Sequence, residues 1–213
     1  MTLPLLDFLV LDTETTGFVP TVHHVMEFAC VRVFNGKVTD EVTQLFTLPG
    51  GNNIPPAIQM LTRIRPRDLE GKPTFADLLP TIALLVEPST IVVGQNVQFD
   101  LGMLRGEGWD LTMQPWIDTS MLASLVFPEL HSFSLGYMSD ALKLDHTPRH
   151  RALGDVRATL QLLEKCTERL LMLPGKDVSF LRGIAEKGPK SYARFFAALP
   201  KATAKKRPQW LKS

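Results

Sequence analysis

Residues 8–17 read FLVLDTETTG. The run FLVL is short, β-rich and apolar, the signature of a strand buried on both faces. Two acids, Asp12 and Glu14, follow it directly and stand two residues apart. On a strand, that spacing puts both side chains on one face. Like charges held a few ångströms apart repel, and one carboxyl is then driven to keep its proton. A divalent cation removes the conflict, and oxygen-only ligands select a hard ion such as Mg²⁺ or Mn²⁺. Taken alone, a DxE pair is more often two solvated acids where a strand enters its turn.

Outward from this strand, VMEFACVRVF (25–34) and KVTDEVTQLF (37–46) flank Asn35-Gly36, a strong two-residue hairpin signal. With 8–12 they predict a three-strand antiparallel meander. TIVVG (90–94) reads as a buried strand and WID (116–118) as a short one. Helical spacing is expected at 57–64, at 75–87 with Thr74 as N-cap, at 95–108, at 119–126 capped by Asp118, at 134–144 and at 155–173. Pro80 is awkward inside the second of these. Strands first, then strands alternating with helices, predict an α/β fold with a mixed sheet. Pro174-Gly175 is a breaker, so the expected domains are 1–175 and a basic tail or linker over 176–213.

The chain has 213 residues, 45% of them hydrophobic, enough for one full core. Its net charge of +1 hides an asymmetry. Residues 176–213 hold ten Lys/Arg and two acids, a net +8, against 13 bases and 20 acids before them, a net −7. An acidic body suits a carboxylate site, and a basic tail can meet phosphate or dock on a partner. Within that tail, SYARFFAAL (191–199) has the look of a short amphipathic helix and KKRP (205–208) is a basic cluster. No apolar run approaches the ~20 residues of a membrane span. The first residues lack the pattern of a secretory signal, and Cys30 and Cys166 read as separate buried thiols. Both point to a cytoplasmic protein with no membrane partner.

Two further constellations carry chemistry. NVQFD (96–100) follows the strand TIVVG, where an open α/β sheet places functional groups. There Asn96 is suited to capping a helix, and Asp100 to its first turn. HRALGD (150–155) places His150 five residues before Asp155, at the start of the longest helix. Singly, each of these residues has an ordinary structural reading as a cap, a dipole partner or a surface group.

Jointly, LDTETTG, NVQFD and HRALGDVRAT, with HSFSLGYMSDAL before the last, resemble the three motifs of the DEDDh family of 3′→5′ exonucleases. That is the family of the epsilon proofreading subunit of bacterial DNA polymerase III. The resemblance runs from about Leu6 to Leu173. It implies a ribonuclease-H-like three-layer fold, a five-stranded mixed sheet flanked by helices. It also implies that Asp12, Glu14 and Asp155 hold one ion. Asp12 bridges to a second, Asp100 is held directly or through water, and His150 is the general base. Thr15, Thr16, Gly17, Asn96 and Phe99 become the substrate-facing candidates, although Phe99 equally suits core packing. Glu27 and Asp118 read as structural. Gln95 departs from the family's usual His at that position, which predicts altered local contacts with the metal site kept. The implied reaction releases 5′-mononucleotides from single-stranded or frayed 3′ DNA ends, with a polymerase or another replication or repair protein as a partner. The alternatives are an RNA-trimming exoribonuclease of the same chemistry and a non-catalytic nucleic-acid-binding module.

Overall fold

The computed structural model describes residues 3–199. Its strands are β1 (Asp7–Thr15), β2 (Val25–Phe34), β3 (Lys37–Leu45), β4 (Ile91–Gly94) and β5 (Trp116–Asp118). They form one sheet in the order β3-β2-β1-β4-β5. β1 runs antiparallel to β2 and parallel to β4, and β4 runs parallel to β5. Asn35 and Gly36 both take positive φ (49° and 74°), which lets a two-residue turn match the twist of the β2–β3 hairpin. The mixed five-stranded sheet expected from the resemblance is therefore present.

Among the described residues, eight α-helices surround it: α1 (Pro56–Thr62), α2 (Phe75–Ala83), α3 (Val97–Gly106), α4 (Thr119–Val126), α5 (Leu135–Leu142), α6 (Ala152–Met172), α7 (Gly175–Ala185) and α8 (Lys190–Ala197). Thr74 caps α2 in a reciprocal pair with Asp77, and the helix runs through Pro80 before ending three residues later. Asp118 caps α4 as the sequence predicts.

The pleat of β1 sorts its residues between two cores. Phe8 and Val10 face α4 to α8, whereas Leu9 and Leu11 face α2 and α3. Both faces are covered, which is why β1 reads as an unbroken apolar run rather than an alternating one. A smaller cluster, Met26, Leu48, Ile54, Ile64 and Leu69, lies under α1 and the loop that follows it.

The reading of 176–213 as a tail or linker meets a different arrangement over the described part. α7 and α8 lie on the main core, with Tyr192, Phe195 and Phe196 buried beside Phe8. The Tyr192 hydroxyl donates to Asp118 O at 3.1 Å and accepts from Asp118 N at 2.9 Å. Ser191 donates to the Trp116 carbonyl. Aromatic residues at 192, 195 and 196 share one helical stripe, and the core offers that stripe a site the basic composition does not announce. KKRP lies outside the described residues. Among the described residues, no helix is long and apolar enough to cross a membrane.

Candidate active site

The parity of β1 decides which acids meet. Asp12 and Glu14 continue the face of Phe8 and Val10, towards α6. Thr13 continues the face of Leu9 and Leu11, towards α3. Asp155 rises from the first turn of α6, and carboxylate oxygens of Asp12, Glu14 and Asp155 come within 4.8 Å of one another. Asp100 approaches from the other face. Its Oδ1 accepts from Thr13 N at 2.9 Å and from Thr13 Oγ1 at 2.7 Å, in a site where Asp100 is 3% exposed. Thr13 therefore holds the fourth acid beside the other three without joining them.

The electrostatics follow from this crowding. Burial, then the charges of Asp100, Asp155, Glu14 and Glu27, push Asp12 well above the usual carboxylate range. Burial and the same neighbours push Glu14 up to about 8, with Arg151 opposing. Burial pushes Asp100 up to about 7 against the hydrogen bonds from Thr13. Burial also raises Asp155, opposed by its hydrogen bond with His146 and by the charge of His150. Three clustered carboxyls, with a fourth buried beside them, resist ionising together, and these oxygen donors fit a hard divalent cation.

A tertiary cap sets the start of α6. Glu27, 3% exposed and level with Glu14 on the next strand, accepts from Ala152 N at 3.0 Å. It also takes a forked pair of bonds from Arg151, through Nη2 at 2.7 Å and Nε at 3.0 Å. The helix therefore begins at Ala152, three residues before the predicted start. Glu27 is structural, and what it supports is the placement of Asp155.

His150 sits just before α6, solvent-exposed, in the left-handed region at φ 57°. A second histidine, which the sequence does not single out, reaches the site. His146 Nε2 lies 2.6 Å from Asp155 Oδ1, and its Nδ1 lies 3.0 Å from Ser139 Oγ. Nothing in the local pattern singles out His146, because the link runs through the loop between α5 and α6.

The turn after β1 is tightly organised. Thr15 Oγ1 donates to Gly17 O at 2.8 Å, Thr16 N donates to His24 O at 3.0 Å, and Thr16 Oγ1 accepts from His24 N at 3.0 Å. The His23 ring lies where a Cβ on Gly17 would be, 2.3 Å away. The two threonine side chains are thus engaged inside the turn. Directly after it, Phe18 is 78% exposed and meets Phe99, with ring centroids 6.2 Å apart. Phe18 is the surface group that the sequence reading missed. Its only signal there was its place beside TTG.

Asn96 does not make the side-chain cap expected of it. Its left-handed backbone (φ 56°) departs from the extended geometry that caps use, and Asp118 Oδ2 accepts from Val97 N instead, at 3.2 Å. Gln95 makes its own contacts. Its Nε2 donates to Phe133 O and its Oε1 accepts from Thr119 Oγ1, both at 2.7 Å. It ties the end of β4 to α4 and to the segment before α5, away from the carboxylates.

This arrangement has counterparts among known proteins. Residues 9–163 match the family described as exonuclease, of the RNase T type. The epsilon subunit of DNA polymerase III from Aquifex aeolicus is 34% identical over 170 residues, which is 76% of this chain and 81% of that one. The 3′-5′ exonuclease DinG of Bacillus subtilis is 29% identical over 184 residues, 84% of this chain but 19% of DinG. PolC-type polymerases are matched over 11–12% of their length, so the chain spans a small part of those relatives. Among solved structures, exonuclease X in complex with 5′-overhanging duplex DNA superposes with a TM-score of 0.62 at 26% identity. The match covers 76% of this chain and 91% of that one. A match that takes in the DxE strand, the β4–α3 junction and the start of α6 leaves one conclusion: the chain belongs to the exonuclease family.

Proposed function

We propose that the protein hydrolyses nucleic acid from its 3′ end and releases 5′-mononucleotides, with DNA as the substrate. The observation that carries this reading is the convergence of Asp12, Glu14 and Asp155 within 4.8 Å, with Asp100 held alongside by Thr13. Asp12, Glu14 and Asp155 would hold one Mg²⁺ or Mn²⁺, and Asp12 and Asp100 a second. Bound there, such ions neutralise charge at the phosphate and acidify water. The protein's own groups do the rest. His150, exposed at the mouth of the site, takes the proton from the attacking water as general base. His146 holds the Asp155 carboxylate in one orientation from behind. Phe18 and Phe99 offer aromatic faces on which a terminal base can stack. The preference for DNA rests on the likeness to the epsilon subunit and to the DNA-bound exonuclease X. The same likeness suggests a polymerase or a repair protein as partner.

The test is a Mg²⁺-dependent digestion of 5′-labelled single-stranded DNA, duplex DNA with a mismatched 3′ end, and RNA, side by side. A descending ladder from DNA is expected. Digestion of RNA alone overturns the substrate. No digestion of any of them with Mg²⁺ or Mn²⁺ overturns the enzyme and leaves a binding module.

A further inference from the structure

Beside the carboxylate site lies a groove of about 510 Å³ whose charge opposes that of the domain around it. Arg63, Arg67, Lys72 and Arg151 line it, with Asp68 and Glu70. Four of the 13 basic residues before position 176 fall within positions 63–72, in a region that is otherwise net acidic. The two acids offset them only in part. Asp68 accepts from Arg65 N at 2.8 Å and lies 4.0 Å from Arg67, so it is partly engaged as a cap. Arg151 is bound to Glu27. Arg63, Arg67 and Lys72 are exposed.

Arg63 is also in an unusual conformation. It ends α1 with φ 62°, the left-handed region that glycine occupies most easily. A long cationic side chain at such a position costs backbone strain that glycine avoids, and it projects a charge at the groove.

The groove has a fixed relation to the site. Glu14, Glu27 and Leu45 form one row across β1, β2 and β3, and Leu45 lines the groove. Two strand spacings of ~4.8 Å place it about 10 Å from Glu14. At ~3.4 Å of axial rise per nucleotide, and more along the backbone path, that distance is at most about three nucleotides. An enzyme acting at a 3′ end has only the 5′-ward strand left to hold.

Resting on the proposed exonuclease activity, we propose that this groove is an anchoring site for the phosphodiester backbone within about three nucleotides 5′ of the scissile bond. Arg63, Arg67 and Lys72 are the phosphate contacts. The ligand is the polyanionic backbone itself, read without regard to base. Such contacts release counterions, so they make binding depend on both salt and length.

The test compares the wild-type protein with Arg63→Gly, Arg67→Gln, Lys72→Gln and the triple variant. Each is assayed with Mg²⁺ on a thymidine dinucleotide and a thymidine decanucleotide between about 50 and 200 mM salt. Thermal midpoints are recorded in parallel. The dinucleotide ends before the groove and the decanucleotide crosses it. The triple variant is expected to lose at least ~10-fold in kcat/KM on the decanucleotide at low salt, mainly through KM. Its slope of log kcat/KM against log salt should flatten by about 2, at ~0.7 per phosphate contact on a single strand. Arg63→Gly should raise KM for the decanucleotide while its thermal midpoint holds or rises. Equal losses on both lengths, or an unchanged salt slope, overturn the anchoring site. So does a raised KM that comes together with a lowered thermal midpoint in Arg63→Gly. Hydrolysis of thymidine 5′-p-nitrophenyl phosphate by the wild type is the separate check on the centre. If neither that ester nor any oligonucleotide is cleaved, the exonuclease reading itself has failed and the anchoring role falls with it.

Discussion

Replacing Glu14 by Gln should make the metal-free protein more stable while destroying its activity. Burial and the carboxylates of Asp155, Glu27 and Asp100 raise Glu14 from its ordinary 4.5 to about 8. A carboxyl with a raised folded-state pKa binds its proton more tightly in the native state than in the unfolded chain. It does not oppose folding below about pH 4.5, and it opposes folding increasingly as the pH rises from there to about 8. At pH 7 the group stands about 2.5 pH units above its unfolded value, and ~1.36 kcal/mol per unit sets a ceiling of about 3 kcal/mol. Partial exposure at the rim of the site screens this to roughly 1–2 kcal/mol. In a protein of this size that is a thermal shift of about 2–8 °C. The assay is thermal unfolding in the presence of a chelator at pH 5 and pH 8, repeated with Mg²⁺. Glu14→Gln is expected to melt higher than the wild type at pH 8 and nearly with it at pH 5. Mg²⁺ should stabilise the wild type more than the variant, because binding to the native state adds stability. If the variant melts no higher at pH 8, or gains equally at both pH values, Glu14 is an ordinary solvated acid and the crowding argument is wrong.

His150→Ala is expected to keep Mg²⁺-induced stabilisation and lose ~10²–10⁴-fold in turnover, checked by thermal shift and single-turnover kinetics. Equal loss of both would place His150 among the ligands. Glu27→Ala removes the cap on Ala152 and strands Arg151, so chemical denaturation should show a loss of about 2–4 kcal/mol together with weakened metal binding. Phe18→Ala should leave stability within about 0.5 kcal/mol, because the ring is 78% exposed. It should weaken oligonucleotide binding by the ~1–3 kcal/mol of one base stack, read by fluorescence anisotropy. Phe195→Ala should cost about 3–5 kcal/mol in denaturant unfolding, a loss that a solvated tail would not show.

The strands and the motif order were legible in the sequence because their signals are local. The β2 and β5 boundaries fall where the apolar runs place them, and Asn35-Gly36 marks its own turn. The spacing of Asp12 and Glu14 already determines that they share a face, since the pleat has a period of two. The sequence could name Asp100 and Asp155 as candidates, but their partners are contacts across the fold. Asp100 is held by Thr13, 87 residues away, and Asp155 by His146 across a loop. α6 begins where a carboxylate 125 residues upstream caps it, so no local window could have shown its first turn. The same holds at the C-terminal end, where net charge suggested a tail and the packing of three aromatic rings on Phe8 and β5 decided otherwise. Local residue order determines propensity, period and turn chemistry. Which distant groups satisfy a helix end, a buried acid or an apolar stripe is decided only when the sheet brings them within hydrogen-bonding or van der Waals reach.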